Sequence, residues 1–207
     1  MKPWTFALPA ALLFATGPSW AADPIGYTAP DGVNAVAVTA AAPLPVGLTI
    51  DAGATFATPA GTSAYTSGQL IANSATAGAV VPLSFTVCRQ AAGTGMVRRA
   101  RIKTTDTGFA GATVRLHLYR DSPTAANGDH AAWSSTESVW LDDIDVILDH
   151  AFSDPAQKGI GAPTHGVEIN FDCAAGMQTI YGLLEARSSI TPQGAKPLTV
   201  VLETLVN

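Results

Sequence analysis

Alternation of apolar and polar side chains at every second residue constrains this chain more than any other feature. Val167, Ile169, Phe171 and Cys173 alternate with Glu168, Asn170 and Asp172. Within Gly95 to Pro123, Ala100 and Ile102 alternate with Arg99, Arg101 and Lys103. Further on, Val114, Leu116 and Leu118 alternate with Arg115, His117 and Tyr119. Successive side chains on a strand face opposite sides, so each run predicts one buried and one exposed face. If the two strands of this stretch pair, their basic rows share one outer surface. Val80 to Arg89 sets Leu83, Phe85 and Val87 against Ser84, Thr86 and Cys88. Trp140 to His150 sets Ile144, Val146 and Leu148 against Asp143, Asp145 and Asp149. Tyr65 to Asn73 and Leu198 to Val206 also read as strands. Thr179 to Arg187 has a helix-compatible composition, but Gly182 and the flanking strands favour a strand. Gly/Pro/Asp-rich loops separate these pieces, and no long amphipathic helix interrupts them. About eight strands predict an all-β fold, an antiparallel β-sandwich of jelly-roll or immunoglobulin-like type, because each half-buried sheet needs a second to cover it.

The 207 residues suit one domain with extensions. Met1 to Ala22 reads as a signal peptide: Lys2, an apolar run from Phe6 to Ala15, and small residues at Ser19 and Ala21. An apolar arm packing on a neighbouring subunit, or a start placed too far upstream, is the alternative. The run is too short to span a membrane and contains Pro9. Residues 23–60 carry Pro30, Pro43, Pro45 and Pro59 and predict an extended Pro/Ala-rich arm with edge strands at most. The sandwich is expected over residues 61–207. Two cysteines, Cys88 and Cys173, allow one bridge in an oxidising compartment or two buried thiols, and their spacing fits no CxxC motif.

Charge is unevenly placed. Arg89 to Arg120 holds seven basic residues and one acid, whereas Asp121 to Asp172 holds ten acids and a single Lys158. Such blocks can pair within the fold or across copies of it. Arg99, Arg101, Lys103, Arg115 and His117, facing Asp143, Asp145 and Asp149 of a second copy, are therefore candidate interface residues for a homo-oligomer. An acidic overall balance, with Tyr119 as the nearby stacking aromatic, argues against nucleic acid. No Gly-x-Ser-x-Gly elbow, phosphate-binding loop or dinucleotide fingerprint occurs, so no enzyme or cofactor is expected. A hydrolase using Asp142 to His150 is the weakest alternative, because an exposed acidic row ordinarily protects a strand edge. Asp121, Asn127 and Asp129 offer hard oxygen ligands of the kind calcium takes, although Asn127-Gly128-Asp129 is also common turn chemistry. The four histidines show no short zinc spacing.

Four phrases resemble small structural proteins of tailed bacteriophages: TAAAPLPVGL (39–48), AYTSGQLIANSATAGAVVPLSF (64–85), VRLHLYRDSPTAANGDHAAW (114–133) and IYGLLEARSSITP (180–192). The resemblance implies a non-enzymatic virion component, for capsid decoration or as a neck or tail accessory, acting through contacts with its own copies and other virion proteins. It carries over no active residues. An export signal would point elsewhere, to a secreted or periplasmic binding module. Such a module would take a carbohydrate through the Thr124 to Ser138 and Phe152 to Gly166 loops.

Overall fold

A computed structural model describes residues 26–28, 35–37, 47–136, 139–151 and 156–206. The segment read as a signal peptide, 1–22, lies outside the described residues. The chain divides into two units, Met1–Pro45 and Val46–Asn207. In the first, β1 (Gly26–Thr28) and β2 (Ala35–Ala37) pair antiparallel.

The second unit is an antiparallel β-sandwich. One sheet holds β3 (Leu48–Ala57), β6 (Thr94–Thr104), β11 (His150–Ala151), β12 (Gln157–Gly161), β13 (Ile169–Asp172) and β15 (Pro197–Val206). Its order is β11-β12-β6-β15-β3, with β13 continuing the line of β12 along β6. The other sheet holds β4 (Gln69–Ile71), β5 (Leu83–Thr86), β7 (Thr113–Tyr119), β10 (Trp140–Ile147) and β14 (Thr179–Ala186). Its order is β10-β7-β14-β4, with β5 on the same side of β14 as β4. A small hairpin pairs β8 (Thr124–Ala125) with β9 (Ser135–Thr136). Setting aside the two-residue β11 and taking β4 with β5 and β12 with β13 as two interrupted strands leaves eight. Numbered along the chain, the sheets then run 1-8-3-6 and 2-7-4-5. That order is a jelly roll, in which the chain crosses repeatedly between the sheets.

The core lies between the sheets. Ala100, Ile102, Val200 and Leu202 of the first meet Val114, Leu116, Leu118, Ile144, Val146, Ile180 and Leu184 of the second, all essentially without solvent contact. Each such aliphatic side chain contributes about 1.5–3 kcal/mol on leaving water. Phe85 and Phe109 fill the same layer. Cys88 after β5 and Cys173 after β13 form a disulfide across the sandwich, with Cα atoms 6.5 Å apart. At the edge, β12 lies directly on β10. A Cβ at Gly159 would fall 2.2 Å from the Ile147 carbonyl oxygen, and one at Gly161 2.2 Å from that of Asp145. Only glycine permits this approach, which delivers the following loop to β10.

Several expectations are corrected. The sandwich begins before Gly61, because Leu48–Ala57 pairs along the whole of β15. The two strands of the Gly95 to Pro123 stretch do not pair: β6 and β7 belong to opposite sheets. Their basic rows therefore face away from each other. Val167 is exposed, since pairing with β6 starts only at Ile169. Cys88, expected on the polar face, is buried in the disulfide. As expected, Thr179–Ala186 is a strand, here a central one, and the one helical element among the described residues is a 3-10 turn, Thr107–Phe109.

Candidate binding groove

The outer face of the β10-β7-β14 sheet carries three cross-strand rows. Asp145, Arg115 and Glu185 form one, Asp143, His117 and Leu183 the next, and Trp140, Tyr119 and Tyr181 the third. Alternation on β7 places Arg115, His117 and Tyr119 outward because Val114, Leu116 and Leu118 go inward. Arg115 makes a two-pronged ion pair with Asp145, both contacts at 2.7 Å. This pairing holds the Asp145 carboxyl below its ordinary value and raises the already high Arg115 value. His117 Nε2 lies 2.9 Å from Glu185 Oε2, and Arg187 contacts the other Glu185 oxygen at 3.0 Å. Burial pushes the His117 value down, more strongly than Glu185 raises it, so the ring is neutral at pH 7 and donates through Nε2.

The segment after β7 folds back over part of this face. Its anchor is Asp129, whose side chain is almost fully buried. The carboxylate accepts the Tyr65 hydroxyl at 2.9 Å, the Ala72 amide at 2.7 Å and His130 Nδ1 at 2.8 Å. Burial, then the Asp129 charge, keep the Tyr65 hydroxyl protonated far above its ordinary range. The fold-back buries Leu70, Ala72, Tyr119, Ala125 and Leu183 as a second small core, with Trp133 against it. Trp133 also stacks on His117, ring centres 4.1 Å apart. The Tyr119 hydroxyl meets Ser135 Oγ at 3.0 Å. Between these groups opens a groove of about 380 Å³ lined by His117, Tyr119, Trp133, Ser134, Ser135, Trp140 and Asp143. Trp140 is 47% exposed at its mouth. Flat rings with a few convergent polar groups are the usual make-up of a small-molecule site.

Beside the groove, β10 is the edge of its sheet. A register shift between Trp140 and Asp142 re-aims the side chains there. The backbone N–H of Asp143 donates to Asp142 Oδ1 at 2.8 Å, and its C=O accepts from Thr164 N at 3.1 Å. His165 Nδ1 lies 2.7 Å from Asp142 Oδ1. One ligand atom from each of Asp142, Asp143 and His165 falls within 4.8 Å of the others.

Neither protein-family models nor curated proteins match this chain. What the site can do therefore rests on its own chemistry.

The expected interface residues are largely paired inside the molecule. Arg99 meets Glu203 at 2.7 Å and Arg101 meets Asp51 at 2.5 Å on the other sheet. Lys103 lines a separate depression of about 590 Å³ with Asp51, Arg101, His150, Lys158 and Ile160. Asp143 is buried rather than solvated, and Asp149, beyond the end of β10, contacts His150. The expected shared acidic face is thus divided, because β10 lies in register beside the basic row of β7. The expected calcium ligands are each engaged elsewhere in the fold. Asp121 pairs with Arg120, Asn127 Nδ2 donates to the Ala132 carbonyl, and the Asp129 carboxylate is taken by three donors. Sequence reasoning missed Glu185 and His165. Glu185 sits in an apolar run, where a lone carboxylate signals a buried partner; nothing local marks His165.

Proposed function

We propose that this chain is an exported, non-catalytic binding module that takes a neutral saccharide in the groove of the β10-β7-β14 sheet. The observation that carries this reading is the ring of Trp133, held against His117 beside the half-exposed Trp140. Sugar rings present apolar C–H faces that pack on such rings, while their hydroxyls need the polar groups that Ser134, Ser135 and Asp143 bring to the same groove. Charge favours a neutral ligand. Two cations, Arg115 and Arg187, stand among three carboxylates, Asp143, Asp145 and Glu185, with His117 neutral. A polyanion would meet net negative charge there. The cross-sheet disulfide supports export, since such bridges persist in oxidising compartments. The experiment is a titration with cellohexaose, xylohexaose, chitohexaose and maltohexaose followed by calorimetry. Binding of one of them, lost in Trp133→Ala and Trp140→Ala variants that keep their fold, is expected. No heat with any of the four would remove the reading.

A second reading, a virion structural protein assembling with its own copies, draws on different observations. Jelly rolls build capsid subunits as well as lectins, so the fold suits both. The ten-residue β3 has no strand on its outer edge among the described residues, and such an edge can template pairing with another chain. Sedimentation velocity decides this reading: a closed oligomer at micromolar concentration supports it, and a monomer throughout dismisses it.

A further inference from the structure

We propose that Asp142, Asp143 and His165 form a binding site for a divalent cation of the zinc class at the edge of β10. An acidic cluster alone does not make a site, and here a second observation points to a ligand. The Asp143 side chain is 9% exposed. Its Oδ1 is buried and has no hydrogen-bond partner among the described residues. Its Oδ2 lies 3.6 Å from Arg115 Nη1, a long contact because that guanidinium is committed to Asp145 at 2.7 Å on two nitrogens. A buried carboxylate oxygen without a donor is costly, and a cation removes the cost directly.

The fold holds the three ligands in place from two directions. Asp142 and Asp143 follow the irregularity at the start of β10, and each brings a carboxylate oxygen to within 4.8 Å of the other and of His165. The loop from β12 arrives because Gly159 and Gly161 let that strand lie on β10. It is then fastened by the bridge between Ile144 and Pro163 and by the Thr164 amide on the Asp143 carbonyl. His165 thus comes to Asp142 from 23 residues away.

The donor set selects the ion. Ligand atoms within 4.8 Å of one another need a modest closure, since two ligands at bonds of about 2.0–2.2 Å on a tetrahedral ion stand about 3.4 Å apart. Calcium takes about six to eight oxygens, and this cluster supplies two carboxylates and an imidazole. Two hard oxygens with one nitrogen suit zinc or manganese, and three protein ligands leave a position open to solvent. Asp143 also lines the groove, so an ion here adjoins the proposed saccharide site. The two proposals fail separately, because the ion is measured without any saccharide.

The test uses the intact, oxidised full chain, stripped with chelator and titrated calorimetrically with Zn²⁺ and, in parallel, Ca²⁺. One Zn²⁺ per chain is expected, with His165→Gln and Asp142→Asn each weakening it at least tenfold. His150→Gln, which removes another exposed histidine–aspartate pair, should leave the affinity unchanged. Both site variants are partly solvent-facing, and a circular dichroism spectrum confirms that they keep the fold. Failure to bind Zn²⁺, or Zn²⁺ binding that survives both site variants, overturns the assignment. Ca²⁺ binding more tightly than Zn²⁺ at these residues overturns it too.

Discussion

Replacing both Cys88 and Cys173 with serine should cost this protein a large share of its stability. The bridge joins residues 85 apart in sequence and ties the end of β5 in one sheet to the end of β13 in the other. In the chain-entropy account, releasing a closed loop of that length frees the unfolded state by about 4.6 kcal/mol at 25 °C. Measured values for native bridges run from about 2 to 5 kcal/mol, so the estimate lies near the upper end. Both sulfurs are buried, and two serine hydroxyls in their place add a further penalty unless they find partners. For a unit of this size the loss corresponds to a fall of about 9–18 °C in Tm. Urea unfolding of the oxidised protein, the protein reduced with dithiothreitol and the double variant, followed by circular dichroism, gives the comparison. Reduced and double-variant proteins should agree and show a larger m-value than the oxidised one, because their unfolded chains expose more surface. Coincident midpoints for all three would refute the reasoning, as would two free thiols titrated in denaturant without reductant.

Other consequences follow from individual groups. Asp129→Ala strands the buried Tyr65 hydroxyl and the Ala72 amide and should destabilise by about 3 kcal/mol or more, whereas Tyr65→Phe should cost about 1–3 kcal/mol, both read from urea midpoints. The His117 value is depressed by burial, so the unfolded chain takes up its proton first. Stability should hold above the ordinary histidine value near 6.5 and decline as pH falls below it, until the folded-state value is reached. Loss of Asp145 pairing lies lower still: its contribution is present above the ordinary 3.8 and disappears as pH drops through its lowered folded-state value. A His117→Gln variant should flatten the first of these declines in a pH series of thermal melts. Reversing Arg99 and Arg101 to Glu breaks pairs that are half-exposed, so each should cost under about 1 kcal/mol and leave sedimentation unchanged. Weaker self-association in that variant would restore the intermolecular charge contact.

Much of the sandwich was legible because burial and strand periodicity share a period of two. Leu83 with Phe85, Val114 with Leu116 and Leu118, and Ile144 with Val146 and Leu148 all turn inward as their alternation requires. Pairing between strands was not legible, since nothing in a period-two pattern says which sheet a strand joins. The stretch from Gly95 to Pro123 looks like a hairpin, yet its two strands lie in opposite sheets. That one difference moved Arg99 and Arg101 to Glu203 and Asp51, and Arg115 to Asp145. The groove was half-visible. The Asn127-Gly128-Asp129 turn marked the loop, but Asp129 faces inward to Tyr65, a contact 64 residues apart that no local pattern records. Asp142 and Asp143 were visible as part of the acidic stretch from Asp142 to His150, while His165 reaches them from the loop after β12, which glycines let settle on β10.

Indole N–H resonances give the most direct measurement of ligand binding at the groove. The chain has four tryptophans, Trp4, Trp20, Trp133 and Trp140, and the last two line the groove. In a ¹⁵N correlation spectrum recorded during titration with whichever of the four hexasaccharides gives heat, the Trp133 and Trp140 indole peaks should shift together and saturate with one apparent Kd. Saturable binding that leaves both peaks in place would contradict the account.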